Sequence, residues 1–309
     1  MALVHAESLD GLSLPALRSS GPHLCADLEP WKGRRFSLPP GAPLLPALHE
    51  GGPAPEPAWD NLVGAARCWT EHPEWMDQLH PESPVGADKR MERQLYLDRW
   101  ADYLPKGGRV LDLGGGVGRF AQWLLAQDCE VELVDPDLRS LWCALDHLAG
   151  GTGRLDLHWS TGDALGGIRP VQRALAVEVL CYVPDPVAVL QEIRRVLNPG
   201  GLLLLSVEAR EGTALSRDAA PGEMSEDDVI HVPGERWVQT YTEEGLRDLL
   251  TGWEILDLEP SHYVLSGPLE ERAEGLELPD IRQLEKEAKR DPSTRSLNRA
   301  WTAVVRAQG

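Results

Sequence analysis

Apolar residues fall along the chain in short runs that alternate with stretches of helical spacing, punctuated by glycine. Val110, Leu111 and Leu113 make the first run, of the kind a strand buried on both faces requires. Gly114, Gly115, Gly116 and Gly118 follow at once, and Phe120, Trp123, Leu124 and Ala126 then recur at helical spacing. A second apolar run from Val131 to Val134 ends in Asp135, with Pro136 next to it. Leu141, Trp142, Leu145 and Leu148 predict a helix over 138–148, broken by Gly150-Gly151-Thr152-Gly153. Leu155, Leu157 and Trp159 alternate as a third strand that runs into Ser160-Thr161-Gly162-Asp163-Ala164. Ala174 to Val179 reads as a fourth strand. A helix carrying Val189, Leu190, Ile193, Val196 and Leu197 follows it. Asn198-Pro199-Gly200-Gly201 is a tight turn into a fifth strand, Leu202 to Val207. Thr242 caps a helix with Leu246, Leu249 and Leu250 inward. Residues 252–258 and 300–306 read as the last two strands.

The pattern is interrupted in four places. Residues 1–58 are rich in proline and glycine and cannot hold long helices or central strands; Trp31 and Phe36 suggest that they wrap over another surface. Residues 59–105 are read as a helical cap. Trp69 and Trp75 lie in its first part, and an amphipathic helix over 88–103 carries Met91, Leu95, Tyr96 and Trp100 on one side. The remaining domain, 106–309, contains an insertion at 209–240 with a charged middle and a second, highly charged one at 261–298. Insertions after the fifth strand lie at the carboxyl ends of the strands, where open α/β sheets bind ligands. The first is therefore read as a substrate lid with His231, Arg236, Trp237 and Tyr241 on its inner face. The second has no functional reading.

Strand, glycine turn, helix, strand and terminal acid make half of a mononucleotide-binding unit. The glycines admit a ligand to the backbone, and the acid is placed for ribose hydroxyls. The dinucleotide pattern Gly-x-Gly-x-x-Gly fails here, because Arg119 stands where its third glycine would fall. The register that fits is Asp112-x-Gly114-x-Gly116-x-Gly118. Asp112 also suits a ligand with an ammonium and a sulfonium better than a pyrophosphate, which wants the positive end of a helix. This stretch resembles motif I of the class I S-adenosylmethionine-dependent methyltransferases.

The segment EVLCYVPDPVAVLQEIRRVLNPGGLLLLSVE, residues 178–208, is similar to the strand-four to strand-five region of methyltransferases that act on quinone precursors and natural products. With motif I and both acids in order, the resemblance covers Arg109 to Glu208. It implies a Rossmann-like class I fold: a mostly parallel seven-stranded sheet with an antiparallel last strand and helices on both faces. It implies S-adenosyl-L-methionine as donor and S-adenosyl-L-homocysteine as product, held by Asp112, Gly114, Gly116, Gly118, Asp135, Pro136, Asp163, Ala164 and Glu178. Asp163 would bond the adenine amino group and the Ala164 amide a ring nitrogen. The cap helix would wall the acceptor pocket with Tyr96. Many members carry histidine where this chain has Tyr182, and a phenol is a poor base at neutral pH. Candidates for proton transfer or acceptor orientation are thus Glu178, Tyr182 and His231, with Tyr182, Arg236, Trp237 and Tyr241 on the acceptor.

Composition narrows the setting. A net charge of −19 argues against nucleic acid and anionic membrane surfaces as partners. Five scattered cysteines without a Cys-x-x-Cys pair read as reduced packing thiols rather than disulfides or zinc ligands, and no metal is expected. The start shows no leader, and no apolar run approaches membrane-spanning length, so a cytoplasmic protein is expected. Methyl transfer needs alignment more than covalent help, which suits a chain with neither nucleophile elbow nor P-loop. The reading is an enzyme that methylates a small molecule, at oxygen before nitrogen or carbon, in secondary-metabolite or cofactor biosynthesis. The alternatives are a peptide or protein methyltransferase and a non-catalytic S-adenosylmethionine-binding subunit. A homodimer is compatible with the sequence.

Overall fold

A computed structural model of the chain describes residues 35–37 and 84–308, except 137, 149–152, 217–228 and 233–235, with the backbone alone at some further positions. In chain order these comprise β1 (Arg35–Ser37), α1 (Pro84–Arg99), β2 (Gly108–Leu113), α2 (Arg119–Ala126), β3 (Cys129–Asp135), α3 (Leu138–His147), β4 (Arg154–Trp159) and β5 (Val171–Val177). They continue with α4 (Pro186–Val196), β6 (Leu197–Glu208), α5 (Arg210–Ser216), β7 (Val229–Val232), β8 (Arg236–Gln239) and α6 (Glu243–Leu249). The last are β9 (Trp253–Ser261), α7 (Pro268–Ala273), α8 (Leu278–Arg290) and β10 (Ala300–Ala307). Expectations for Trp31, Trp69 and Trp75 lie outside the described residues.

One sheet runs β1-β4-β3-β2-β5-β6-β10-β9. All pairs are parallel except those of β10, which is antiparallel to both β6 and β9. Seven of these strands are the expected sheet with its antiparallel last strand; the three-residue β1 adds an eighth at the edge. The chain leaves β2 toward β3 and β4 on one side and returns to β5 and β6 on the other. The carboxyl ends of β2 and β5 therefore flank a topological switch point, where such sheets bind ligands.

Each face of the sheet has its own core. Val110, Val131, Leu133 and Leu155 pack with Tyr96, Phe120, Leu124 and Leu141 from α1, α2 and α3 and with Trp100 just after α1. Leu111, Leu113, Ala174 and Leu203 pack with Val189, Ile193 and Leu246 from α4 and α6. Local chemistry sets the helix starts. The Asp185 side chain accepts the Ala188 N–H at 2.9 Å ahead of α4, and Thr242 caps α6 through the Gly245 N–H at 3.1 Å.

Four boundaries differ from the sequence pattern. α1 begins at Pro84, whose fixed φ suits a first turn, and ends before Trp100, where the Tyr103 and Leu104 amides both donate to the Trp100 carbonyl. β5 starts at Val171 and stops at Val177, because Glu178 takes a left-handed φ of 56°. The turn at 198–201 is an excursion within β6: Leu197 pairs with Val171 and Leu202 with Arg173, and Gly200 takes φ 76°. The insertion 261–298 is no loose surface excursion. α7 and α8 bury Leu269, Ile281, Leu284 and Ala288 against Leu95 of α1, each contributing on the order of 1–3 kcal/mol. Among the described residues no helix is long and apolar enough to cross a membrane.

Candidate active site

The glycine turn after β2 is shaped from both sides. Gly114, Gly116 and Gly118 all have positive φ, a region costly for other L-residues. A Cβ on Gly114 would lie 2.5 Å from Val179 Cγ2, so the turn abuts the exit of β5. A Cβ on Gly115 would meet the Asp112 carboxyl at 2.9 Å, while one on Gly116 would meet nothing within 4 Å. The turn thus rests on Asp112 beneath and opens outward at Gly116. From the end of β3, Asp135 accepts the Gly116 N–H at 2.9 Å through Oδ2.

Asp112 is 2% exposed, and its Oδ2 is buried without a hydrogen-bond partner. Burial pushes its carboxyl up to about 7, against the Ala121 amide and the Arg119 charge, which pull it down. After β4, Thr161 Oγ1 is also buried without a partner. Asp163 is exposed, and the Ala164 amide donates to the Thr161 carbonyl at 3.1 Å in a turn.

Glu178 stands at the switch point. Its amide donates to Ser206 Oγ at 3.0 Å and to the Ser206 carbonyl at 3.1 Å, which holds the left-handed backbone. Its Oε1 accepts the Tyr96 hydroxyl at 3.0 Å. Tyr96 is fully buried, and burial, followed by the Glu178 and Glu92 charges, raises its phenol well above the ordinary value. Beside them Arg119 pairs with Glu92, which Lys89 also contacts at 2.9 Å. Burial alone would raise Glu92, but Lys89, Arg119 and His262 outweigh it and hold the carboxyl well below its usual range. Glu178 and Glu92 both favour the charge on Arg119.

Tyr182 donates its hydroxyl to Glu208 Oε1 at 3.1 Å. Glu208, 1% exposed at the end of β6, also accepts from Thr213 Oγ1 at 2.7 Å and pairs with Arg299. Tyr241 is 7% exposed and donates to the Leu180 carbonyl at 3.2 Å. Its backbone bonds to Glu208 and Arg210 close the base of the 209–240 insertion. His231, Arg236 and Trp237 lie in the β7–β8 hairpin, where His231 pairs with Trp237. Their side chains are outside what the structure describes. Sequence reasoning missed Glu92, Ser206, Glu208, His262 and Arg299; only Arg119 drew notice, as a mismatch.

Residues 88–257, more than half of the chain, match the family described as a methyltransferase domain. The chain belongs to the class I S-adenosylmethionine-dependent methyltransferases. Over 201 residues this methyltransferase is 27% identical to a ubiquinone biosynthesis O-methyltransferase of Cereibacter sphaeroides, spanning 63% of this chain and 76% of that one. It is 30% identical over 145 residues to the methyltransferase GfsG of Streptomyces halstedii, spanning 45% and 50% of the two chains. A solved protein of Pyrococcus horikoshii shares the fold, with a TM-score of 0.57 at 16% identity over 78% of this chain and 99% of that one.

The site suits the donor that the family uses. The backbone opens at Gly116, and a buried Asp112 oxygen beneath that turn and the buried Thr161 hydroxyl after β4 are without hydrogen-bond partners. S-adenosylmethionine, when bound, supplies an electrophilic methyl group on a sulfonium. The chain's part in such a transfer is to align donor and acceptor and to exclude water.

Proposed function

We propose that this enzyme methylates a hydroxyl of a small molecule, in quinone-cofactor or secondary-metabolite biosynthesis in the cytoplasm. Gly114, Gly116 and Gly118 cradle the donor, and Asp112 supports them from below. Asp135 with Pro136 takes the ribose, and Asp163 with Ala164 takes the adenine. The observation that carries the reading is Glu178. Its backbone is locked by Ser206, one carboxylate oxygen is held by Tyr96, and it stands next to the glycine turn. Such a carboxylate could contact the donor's ammonium and take the hydroxyl proton that the acceptor gives up when the methyl group passes from the sulfonium sulfur to its oxygen, leaving a neutral thioether. The O-methyltransferase of ubiquinone biosynthesis, similar over most of its own length, supports oxygen as the acceptor atom. Tyr182, at the same rim, and the insertion residues His231, Arg236 and Trp237 then shape the acceptor pocket.

The test is a panel of catechols, hydroxylated macrolides, aryl amines and peptides incubated with labelled donor, with products read by mass. O-methyl products that fall sharply with Glu178→Gln support the reading. Label on amines or peptides alone, or full turnover in Glu178→Gln, would sink it.

A further inference from the structure

The 261–298 insertion reaches the active site through one residue. His262 follows β9 with a left-handed φ of 60° and is 1% exposed. Its ring centroid lies 3.9 Å from that of Tyr96, with the planes inclined by 38°. Trp100 stacks on the same tyrosine at 5.2 Å. The imidazole is itself fixed. Nε2 is 3.4 Å from the Glu92 carbonyl oxygen, and Nδ1 is 2.9 Å from Ser261 Oγ. A carbonyl can only accept, so Nε2 carries a proton and donates to it.

The turn that bears His262 is anchored away from the sheet. The amides of Tyr263 and Val264 donate to the Glu285 carboxylate of α8, each at 3.2 Å. Arg282 of α8 grips Asp98 of α1, at 2.9 Å from NH2 to Oδ1. α8 therefore holds both the turn below Tyr96 and the helix that carries it.

We propose that His262 is a positioning residue for the donor site: its ring sets the Tyr96 ring, and the Tyr96 hydroxyl in turn aims the Glu178 carboxylate. This rests on the reading that Glu178 contacts the donor. The insertion then acts as a clamp on the active-site carboxylate rather than as added bulk. His262 holds a left-handed backbone, a conformation that persists only where the surrounding structure over-determines it.

The test is calorimetric binding of S-adenosylhomocysteine to wild type, Glu178→Gln, Tyr96→Phe, His262→Asn and the Tyr96→Phe/His262→Asn double variant. Asparagine tolerates the left-handed backbone, so His262→Asn removes mainly the ring. The expected result is a loss of about fivefold or more in affinity for each single variant, with the double no weaker than Tyr96→Phe alone. A loss carried through the Tyr96 hydroxyl is already complete once that hydroxyl is gone, whereas two separate contributions to donor affinity would add. Wild-type affinity in His262→Asn beside a weakened Glu178→Gln, or fully additive losses, overturns the proposal. Wild-type affinity in Glu178→Gln would instead remove the donor contact, and the proposal with it. Should His262→Asn fail to fold, Ser261→Ala releases Nδ1 with ring and backbone retained. A loss of about twofold or more is then expected, and unchanged affinity overturns the proposal.

Discussion

Asp135 Oδ2 accepts the Gly116 amide at 2.9 Å, and so joins the end of β3 to the glycine turn after β2. One carboxylate thereby shapes the loop and stands where the ribose is expected. Asp135→Ala removes both the acceptor for that amide and the charge, whereas Asp135→Asn keeps an acceptor oxygen. Affinity for S-adenosylhomocysteine should fall in the order wild type, Asn, Ala, with the last weaker by about tenfold or more. Calorimetry with NAD as control decides it. Undiminished binding in Asp135→Ala, or binding of NAD, would mean the turn has been misread.

Gly114 is required for two separable reasons: its φ of 64° and the 2.5 Å approach of its absent Cβ to Val179 Cγ2. Gly114→Ala should cost roughly 2–4 kcal/mol, about half from the left-handed backbone and half from overpacking. Val179→Ala in the same chain relieves only the second part. Urea unfolding of the two variants should therefore show partial recovery; full recovery would dismiss the backbone contribution.

The sheet and the glycine turn are legible in the sequence because their signals are local. Apolar runs such as Val131 to Val134 and the Asp112-x-Gly114-x-Gly116-x-Gly118 spacing declare themselves within a few residues. The second layer is built from partners far apart in sequence. His262 meets Tyr96 and Glu92 across the molecule, Glu208 finds Arg299, and Arg119 finds Glu92. No periodicity pairs such residues, and burial alone made them charged partners. The charged sequence of α8 hid a buried stripe, Ile281, Leu284 and Ala288, since its polar residues outnumber them. The chain order groups Tyr241 with the 209–240 insertion, while its side chain packs in the core.

Asp112 gives the stability of the donor-free enzyme a distinctive pH dependence. Burial raises its carboxyl from 3.8 to about 7, so the folded state holds a proton that the unfolded chain has released. Above the unfolded value, folding must retain that proton. This residue's contribution therefore falls as pH rises from about 4 to about 7 and is level beyond, by linkage. At about 1.4 kcal/mol per pH unit the full loss is on the order of 4 kcal/mol. Asp112→Asn cannot titrate. Its stability relative to wild type, from urea unfolding at each pH, should rise across that window, and a constant difference would refute the buried neutral acid. Glu92 works in the opposite sense: held well below its usual range by Lys89, Arg119 and His262 despite burial, it stabilises at neutral pH and loses that contribution only in acid.

The last prediction concerns Glu208, buried at 1% exposure between Tyr182, Thr213 and Arg299. Arg299→Met leaves a buried carboxylate without its cation and should cost about 3–5 kcal/mol. Adding Glu208→Gln removes the stranded charge, while the amide oxygen still accepts from one of the Tyr182 and Thr213 hydroxyls and its NH2 faces the other, so the double variant should recover part of the loss. Tyr182→Phe deletes a single hydrogen bond from a carboxylate that keeps two other partners, a cost of about 1 kcal/mol. Because the phenol proton is already donated to Glu208, Tyr182→Phe should lower turnover by less than about tenfold. Unfolding curves for the four chains and turnover of Tyr182→Phe check both halves. A double variant as unstable as Arg299→Met would show that the arginine acts by packing alone. A collapse of turnover in Tyr182→Phe would make the phenol itself the group that meets the acceptor.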